Sequence, residues 1–153
     1  MRYLRLTLLL CGLAATLSAA NPFVGVWKLN VPKSDYKEGL PPREQIVTIT
    51  ETGPNTRIRV DGVQGDGTKT VVDYTIPTAG GTGKMQTSDA YDGITARMFG
   101  PSQREINRLK NGKVVFSAVG TVSPDGKTIT AVSKGVSPHG KPVTANLYYD
   151  RVK

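Results

Sequence analysis

The sequence predicts an all-β domain: an up-and-down antiparallel β-barrel of about 8–10 strands, with no substantial helix. Turn pairs recur at short intervals along the chain, and the segments between them alternate apolar and polar residues with β-branched side chains. The single tryptophan lies on the first strand, in Phe23-Val24-Gly25-Val26-Trp27-Lys28-Leu29-Asn30, where an indole can plug one end of a closed sheet.

Ahead of that strand, residues 1–20 read as a signal peptide. Arg2 and Arg5 form its basic start, Leu6 to Leu17 its apolar stretch, and Ser18-Ala19-Ala20 the small residues of a cleavage site. The apolar run falls short of the ~20 residues of a membrane span. Cys11, the one cysteine, follows Leu10 where a lipobox needs a small residue, so it leaves with the leader. Cleavage after Ala20 leaves residues 21–153 as one secreted or periplasmic domain with no transmembrane segment. That domain has no cysteine, so its stability comes from packing and closed hydrogen bonding.

Lysine and arginine number 20 against 12 acids, a net charge of +8. Losing Arg2 and Arg5 leaves 18 against 12, or +6, which favours solubility and weak peripheral attraction to anionic lipid. Nucleic acid is a poor partner for this chain. Its basic residues stand singly, many just after turns (Lys69, Lys113, Lys127, Lys141), with no arginine cluster interleaved with aromatics.

Turn signals fall at Gly53-Pro54-Asn55, Gly65-Asp66-Gly67, Gly80-Gly81, Asp92-Gly93, Gly100-Pro101, Asn111-Gly112, Asp125-Gly126 and His139-Gly140. Asn-Gly and Asp-Gly supply the positive φ of tight hairpins. Strands are expected near 23–30, 43–52, 56–63, 69–77, 83–88, 94–99, 103–110, 113–122, 127–136 and 142–152. Between the first two, Lys33 to Leu40 ends at Pro41-Pro42 and reads as a single turn or an irregular connection. Ser123-Pro124-Asp125-Gly126-Lys127 is echoed by Ser137-Pro138-His139-Gly140-Lys141, a hairpin rhythm. Short connections make sequence neighbours antiparallel partners. Pairing the first strand with the last removes the exposed edges. A β-sandwich is the alternative, since strand spacing alone does not separate the two.

Phe23-Val24-Gly25-Val26-Trp27-Lys28-Leu29 resembles the opening of the calycins, the superfamily of lipocalins and fatty-acid-binding proteins. Gly25 to Asn30 with Lys33-Ser34 resembles small secreted bacterial lipocalin-like proteins. Tyr149-Asp150-Arg151 is similar to the closing strand of fatty-acid-binding proteins. The resemblance implies that Gly25, Trp27 and Arg151 close the barrel, with Arg151 across the indole. It also implies a small hydrophobic or amphipathic ligand inside. Two departures stand out: residues 31–42 are too few and proline-rich for a helix pair, and Leu147-Tyr148-Tyr149 lacks the arginine of an Arg-x-Tyr carboxylate clamp.

Strand alternation sets the expected inner face. It carries Phe23, Gly25, Trp27 and Leu29; Val72, Tyr74 and Ile76; Ile94, Ala96 and Met98; Val114, Phe116 and Ala118; and Val143, Ala145, Leu147 and Tyr149. Tyr74, Met98, Phe116, Leu147 and Tyr149 are thus the candidate ligand contacts. Small inward residues favour a cavity over a core filled by side chains.

The segment Arg104-Glu105-Ile106-Asn107-Arg108-Leu109 fits neither orientation cleanly. Burying an unpaired arginine is costly, which favours an outward, solvated Arg108 and Ile106 on the outside. The inward alternative would make Arg108, near Tyr149, an anion clamp.

No catalytic or metal-ligating set is evident. His139, the one histidine, sits at a hairpin tip without a companion ligand. Asp73, Asp89, Asp92 and Glu105 stand singly. Gly80-Gly81-Thr82-Gly83-Lys84 lacks the spacing and following helix of a phosphate loop. The expectation is a secreted, non-enzymatic carrier without cofactor. The alternative is an envelope interaction module with a filled core, binding a protein or anionic lipid through its basic surface.

Overall fold

The structure is a computed structural model and describes residues 20–38, 40–136 and 140–153. Nearly all of the expected signal peptide, with Cys11, and the turn residue His139 lie outside the described residues. The described residues form twelve strands, β1 (Gly25–Leu29), β2 (Asp35–Glu38), β3 (Glu44–Thr52), β4 (Asn55–Val63), β5 (Lys69–Pro77), β6 (Gly81–Thr82), β7 (Lys84–Thr87), β8 (Gly93–Met98), β9 (Gln103–Lys110), β10 (Lys113–Val122), β11 (Thr128–Val136) and β12 (Pro142–Arg151). All belong to one antiparallel sheet rolled into a lipocalin-like barrel, so the sandwich alternative does not hold.

The terminal strands pair as expected. Trp27 lies opposite Arg151 and Leu29 opposite Tyr149, and β1 pairs with β3 on its other edge. The β9–β10 hairpin turns at Asn111-Gly112, with φ of 51° and 73°. Those positive values are what Asn-Gly supplies.

The strand count exceeds expectation because a short extra strand, β2, forms in the first connection and one expected strand is divided into β6 and β7. After β1 a 3-10 turn, Val31–Lys33, swings the chain outward. Asn30 holds it, its Oδ1 accepting from Lys33 N–H at 3.2 Å and its Nδ2 donating to Asp150 Oδ2 at 2.7 Å. The chain then rejoins β12 as β2, where an irregular connection was expected. Ser34 steers this return, its Oγ accepting from Tyr148 N–H at 3.0 Å.

The break between β6 and β7 closes the barrel. Strand β6 pairs with β8 and β7 pairs with β5, so one extended run changes partner at Gly83. Gly83 N–H donates to Ile94 O at 3.0 Å. A Cβ at Gly83 would run into Thr75 O, Ile76 Cγ2 and Ile94 Cγ2. Only glycine lets the chain pass between β5 and β8 there.

The inner faces follow the expected alternation with one correction. Val114 is 57% exposed, not inward, because the β9–β10 register shifts between Val114 and Phe116. This bulge turns Val115 toward the core instead. The described residues include no helix long and apolar enough to cross a membrane.

Candidate functional site

The barrel encloses a cavity of about 250 Å³. It runs from a floor of Phe23 and Trp27 to a mouth between Leu40, Pro42, Gly65 and Pro142. The mouth opens where β2 has left β3, since β2 pairs with β12 alone. Room exists because Ala118, Gly120 and Ala131 face inward where larger side chains would fill it. A wholly filled interior, the alternative expectation, is therefore not found.

The floor is rigid. Trp27 is fully buried and its Nε1 donates to Phe23 O at 2.8 Å. The Arg151 guanidinium stacks 4.0 Å from the indole centroid. Gly25 has φ of 144°, and a Cβ there would collide with Arg151 Nη1, so the Gly-x-Trp spacing makes room for the guanidinium.

Of the candidate ligand contacts, Tyr74, Phe116, Leu147, Tyr149 and Arg108 all line this cavity. Met98 does not. It ends β8 at the closed end of the barrel, opposite Arg104, and packs half-buried against the core.

The orientation of β9 corrects the favoured expectation. Arg104, Ile106 and Arg108 share the inner face, and Arg104 is only 7% exposed. Aromatic faces take the place of water around both cations. The Arg104 guanidinium lies 4.1 Å from the Phe23 centroid, and that of Arg108 lies 4.8 Å from Phe116 and 5.3 Å from Tyr91. Burial pulls the Arg104 pKa below its ordinary value.

Tyrosines gather near Arg108. Tyr149 donates to Gln45 Oε1 at 2.5 Å, across the gap that β2 leaves. Burial raises the Tyr149 pKa well above its ordinary value, with Arg108 opposing, and pushes Tyr36 up to about 12. Tyr91 is raised by burial against the pull of Arg108, and donates to Val136 O at 2.9 Å.

Three buried polar atoms have no hydrogen-bond partner among the described residues: Tyr36 Oη, Arg108 Nε and Ser133 Oγ. All three residues line the cavity. Tyr36 and Ser133 flank Ala145 from either side, on β2 and β11. Neither was a candidate from sequence. Ser133 was legible by parity with Ile129 and Ala131, whereas Tyr36 lies on the strand that was not expected.

Among the described residues no group of three or more His, Cys, Asp or Glu side chains could hold a metal ion. What the wall offers is an apolar lining, two guanidinium groups and several hydrogen-bond donors, with Asp66 and Lys141 toward the mouth.

No family model matches the sequence, and no curated protein matches it. Among solved structures it is similar to zebrafish ileal bile acid-binding protein, crystallised with cholic acid. The likeness covers 86% of this chain and 99% of that one, with 12% identity and a TM-score of 0.49.

Proposed function

We propose that the protein is a secreted, non-enzymatic carrier that holds a small hydrophobic or amphipathic molecule inside its barrel. The observation that carries this reading is the cavity itself, walled by inward side chains from β9 to β12 and from β2 to β5 and open at one end. At about 250 Å³ it lies just below the roughly 300–1,000 Å³ of most ligand pockets, so the ligand is compact. Export rests on the leader-like residues 1–20, and peripheral contact with anionic lipid on the net positive charge.

Native mass spectrometry of the purified protein tests the reading by showing a retained small molecule. A hydrophobic fluorescent probe should bind saturably, and Phe116→Trp should alter its affinity. Absence of saturable binding across lipids and aromatic probes would refute the carrier. Recovery of the mature chain beginning at Asn21 from an envelope or medium fraction would establish export.

A further inference from the structure

Among the described residues, two arginines of the interior, Arg104 and Arg108, have no carboxylate paired with them, while Lys141 and Asp66 belong to the mouth and each has an interaction of its own. Arg104 and Arg108 stand on one face of β9, about 13 Å apart along the strand, with Ile106 between them. Neither joins the ion pairs found among the described residues, and each rests on aromatic rings instead. The one carboxylate on the described wall is Asp66, at the mouth, and it already has a partner. Arginine does not shed its proton to escape burial. A buried cation without a counter-charge is unfavourable, and a ring face relieves it only in part.

The unpartnered groups on the wall point the same way. Arg108 Nε–H, Tyr36 O–H and Ser133 O–H can all donate, and the three residues line the cavity. Ser133 is 1% exposed, so no bulk water reaches it. An acceptor-rich group is what such donors take.

We infer that the ligand is a compact dianion, two acidic groups joined by a short apolar frame. One group seats at Arg104 above the floor, and the other at Arg108 with Tyr36 and Ser133 below the mouth. A ligand with a single acidic group would leave one guanidinium unmet. Ile106 stands between the two arginines on β9 with Ala118 opposite it on β10, and both line the cavity and suit an apolar middle. The separation on β9 and the cavity volume fit a frame of roughly six to ten carbons. This inference rests on the carrier reading.

Calorimetric titration of the mature chain with suberate, octanoate and 1,8-octanediol separates the two, with Trp27 emission as a second readout. Suberate should bind about tenfold or more tightly than octanoate, and the diol most weakly. Arg104→Met and Arg108→Gln should each reduce suberate to the affinity of octanoate. Arg104→Met should also raise the melting temperature of the unliganded protein, because an apolar chain of similar length replaces a buried charge. If Arg104 were only a prop for Phe23, that variant would melt lower and keep the suberate preference, which would overturn the inference. Should Arg108→Gln not fold, Tyr36→Phe and Ser133→Ala carry the same expectation of weaker suberate binding. Octanoate or diol binding as tightly as suberate would overturn the dianion and leave the carrier standing. No binding by these three, by other dicarboxylates of six to ten carbons, or by a hydrophobic probe would remove both.

Discussion

Arg151 ties the segment before β1 and the last strand to Trp27. Its guanidinium stacks 4.0 Å from the indole centroid, while Nε, Nη1 and Nη2 donate to Gly126 O, Val24 O and Pro22 O at 2.6 Å each. One planar fork thus joins the segment before β1, the β10–β11 turn and the last strand, which a lysine cannot do. Arg151→Met leaves three carbonyls without their donor and should cost about 3 kcal/mol. That corresponds to a fall in melting temperature of roughly 10 °C for a domain of this size. Arg151→Lys should recover less than half of the loss. Thermal and urea unfolding provide the measurement, and a loss below about 0.5 kcal/mol, the range of ordinary surface substitutions, would show the fork to be incidental.

Gly83 marks the point where the barrel closes. A Cβ there meets backbone on β5 and side chains on β5 and β8, and flexible tips alone cannot yield enough room. Gly83→Ala should destabilise by about 2 kcal/mol, within the overpacking range. The damage should be local. Amide exchange in β6 and β7 should rise more than in β11 and β12, where β12 carries the barrel's other seam. Uniform acceleration across all strands would contradict a seam at Gly83.

Hairpins were legible in the sequence because their chemistry is local. Asn111-Gly112 and Asp125-Gly126 declare positive φ on their own, and their flanking strands formed within a residue or two of expectation. The Trp27–Arg151 contact was legible through the resemblance of the first and last strands to those of calycins, and the pairing of β1 with β12 brings the two residues together. Strand β2 was not. Asp35-Tyr36-Lys37-Glu38 has a single apolar residue, and its pairing depends on a partner more than a hundred residues away. The inward arginines are hidden from the sequence for a related reason. An unpaired arginine is costly to bury, and the relief for Arg108 comes from Tyr91 in the β7–β8 connection and Phe116 on β10, which its own segment does not reveal. The bulge that exposes Val114 leaves no local trace either.

Asp73 gives the outer face an acid-sensitive contact. Its carboxylate is 3% exposed and accepts from Arg57 Nε at 3.0 Å and Nη2 at 2.6 Å, with Arg59 Nη1 3.6 Å away. The bond from Arg57 holds its pKa below the ordinary value, and burial opposes that shift. As pH falls through the ordinary carboxylate range, the unfolded chain takes up this proton before the folded one. The stability it contributes is therefore full above about pH 4 and is lost as pH falls through the depressed folded value. Asp73→Asn should lower stability at neutral pH by about 1 kcal/mol, a size limited by the solvated Arg57. It should also flatten the acid limb of a urea-midpoint profile. An unchanged acid limb would place the sensitivity on another group.

Two tyrosines at the mouth govern the alkaline side in different ways. Burial pushes Tyr36 up to about 12 and Tyr149 higher still, above an unfolded value of about 10. Above pH ~10 the unfolded chain releases phenolic protons that the folded chain keeps. Stability is then full below that pH and declines as pH rises through the folded values. Tyr36→Phe and Tyr149→Phe should each make the decline shallower in chemical unfolding. At neutral pH the two variants should part. Tyr149→Phe removes the 2.5 Å bond to Gln45 and should cost about 1 kcal/mol. Tyr36→Phe removes a buried hydroxyl that has no partner among the described residues, so the unliganded protein should be equally stable or slightly more so. A Tyr36→Phe chain clearly less stable at neutral pH would mean that this hydroxyl works for the fold and is not held ready for a ligand.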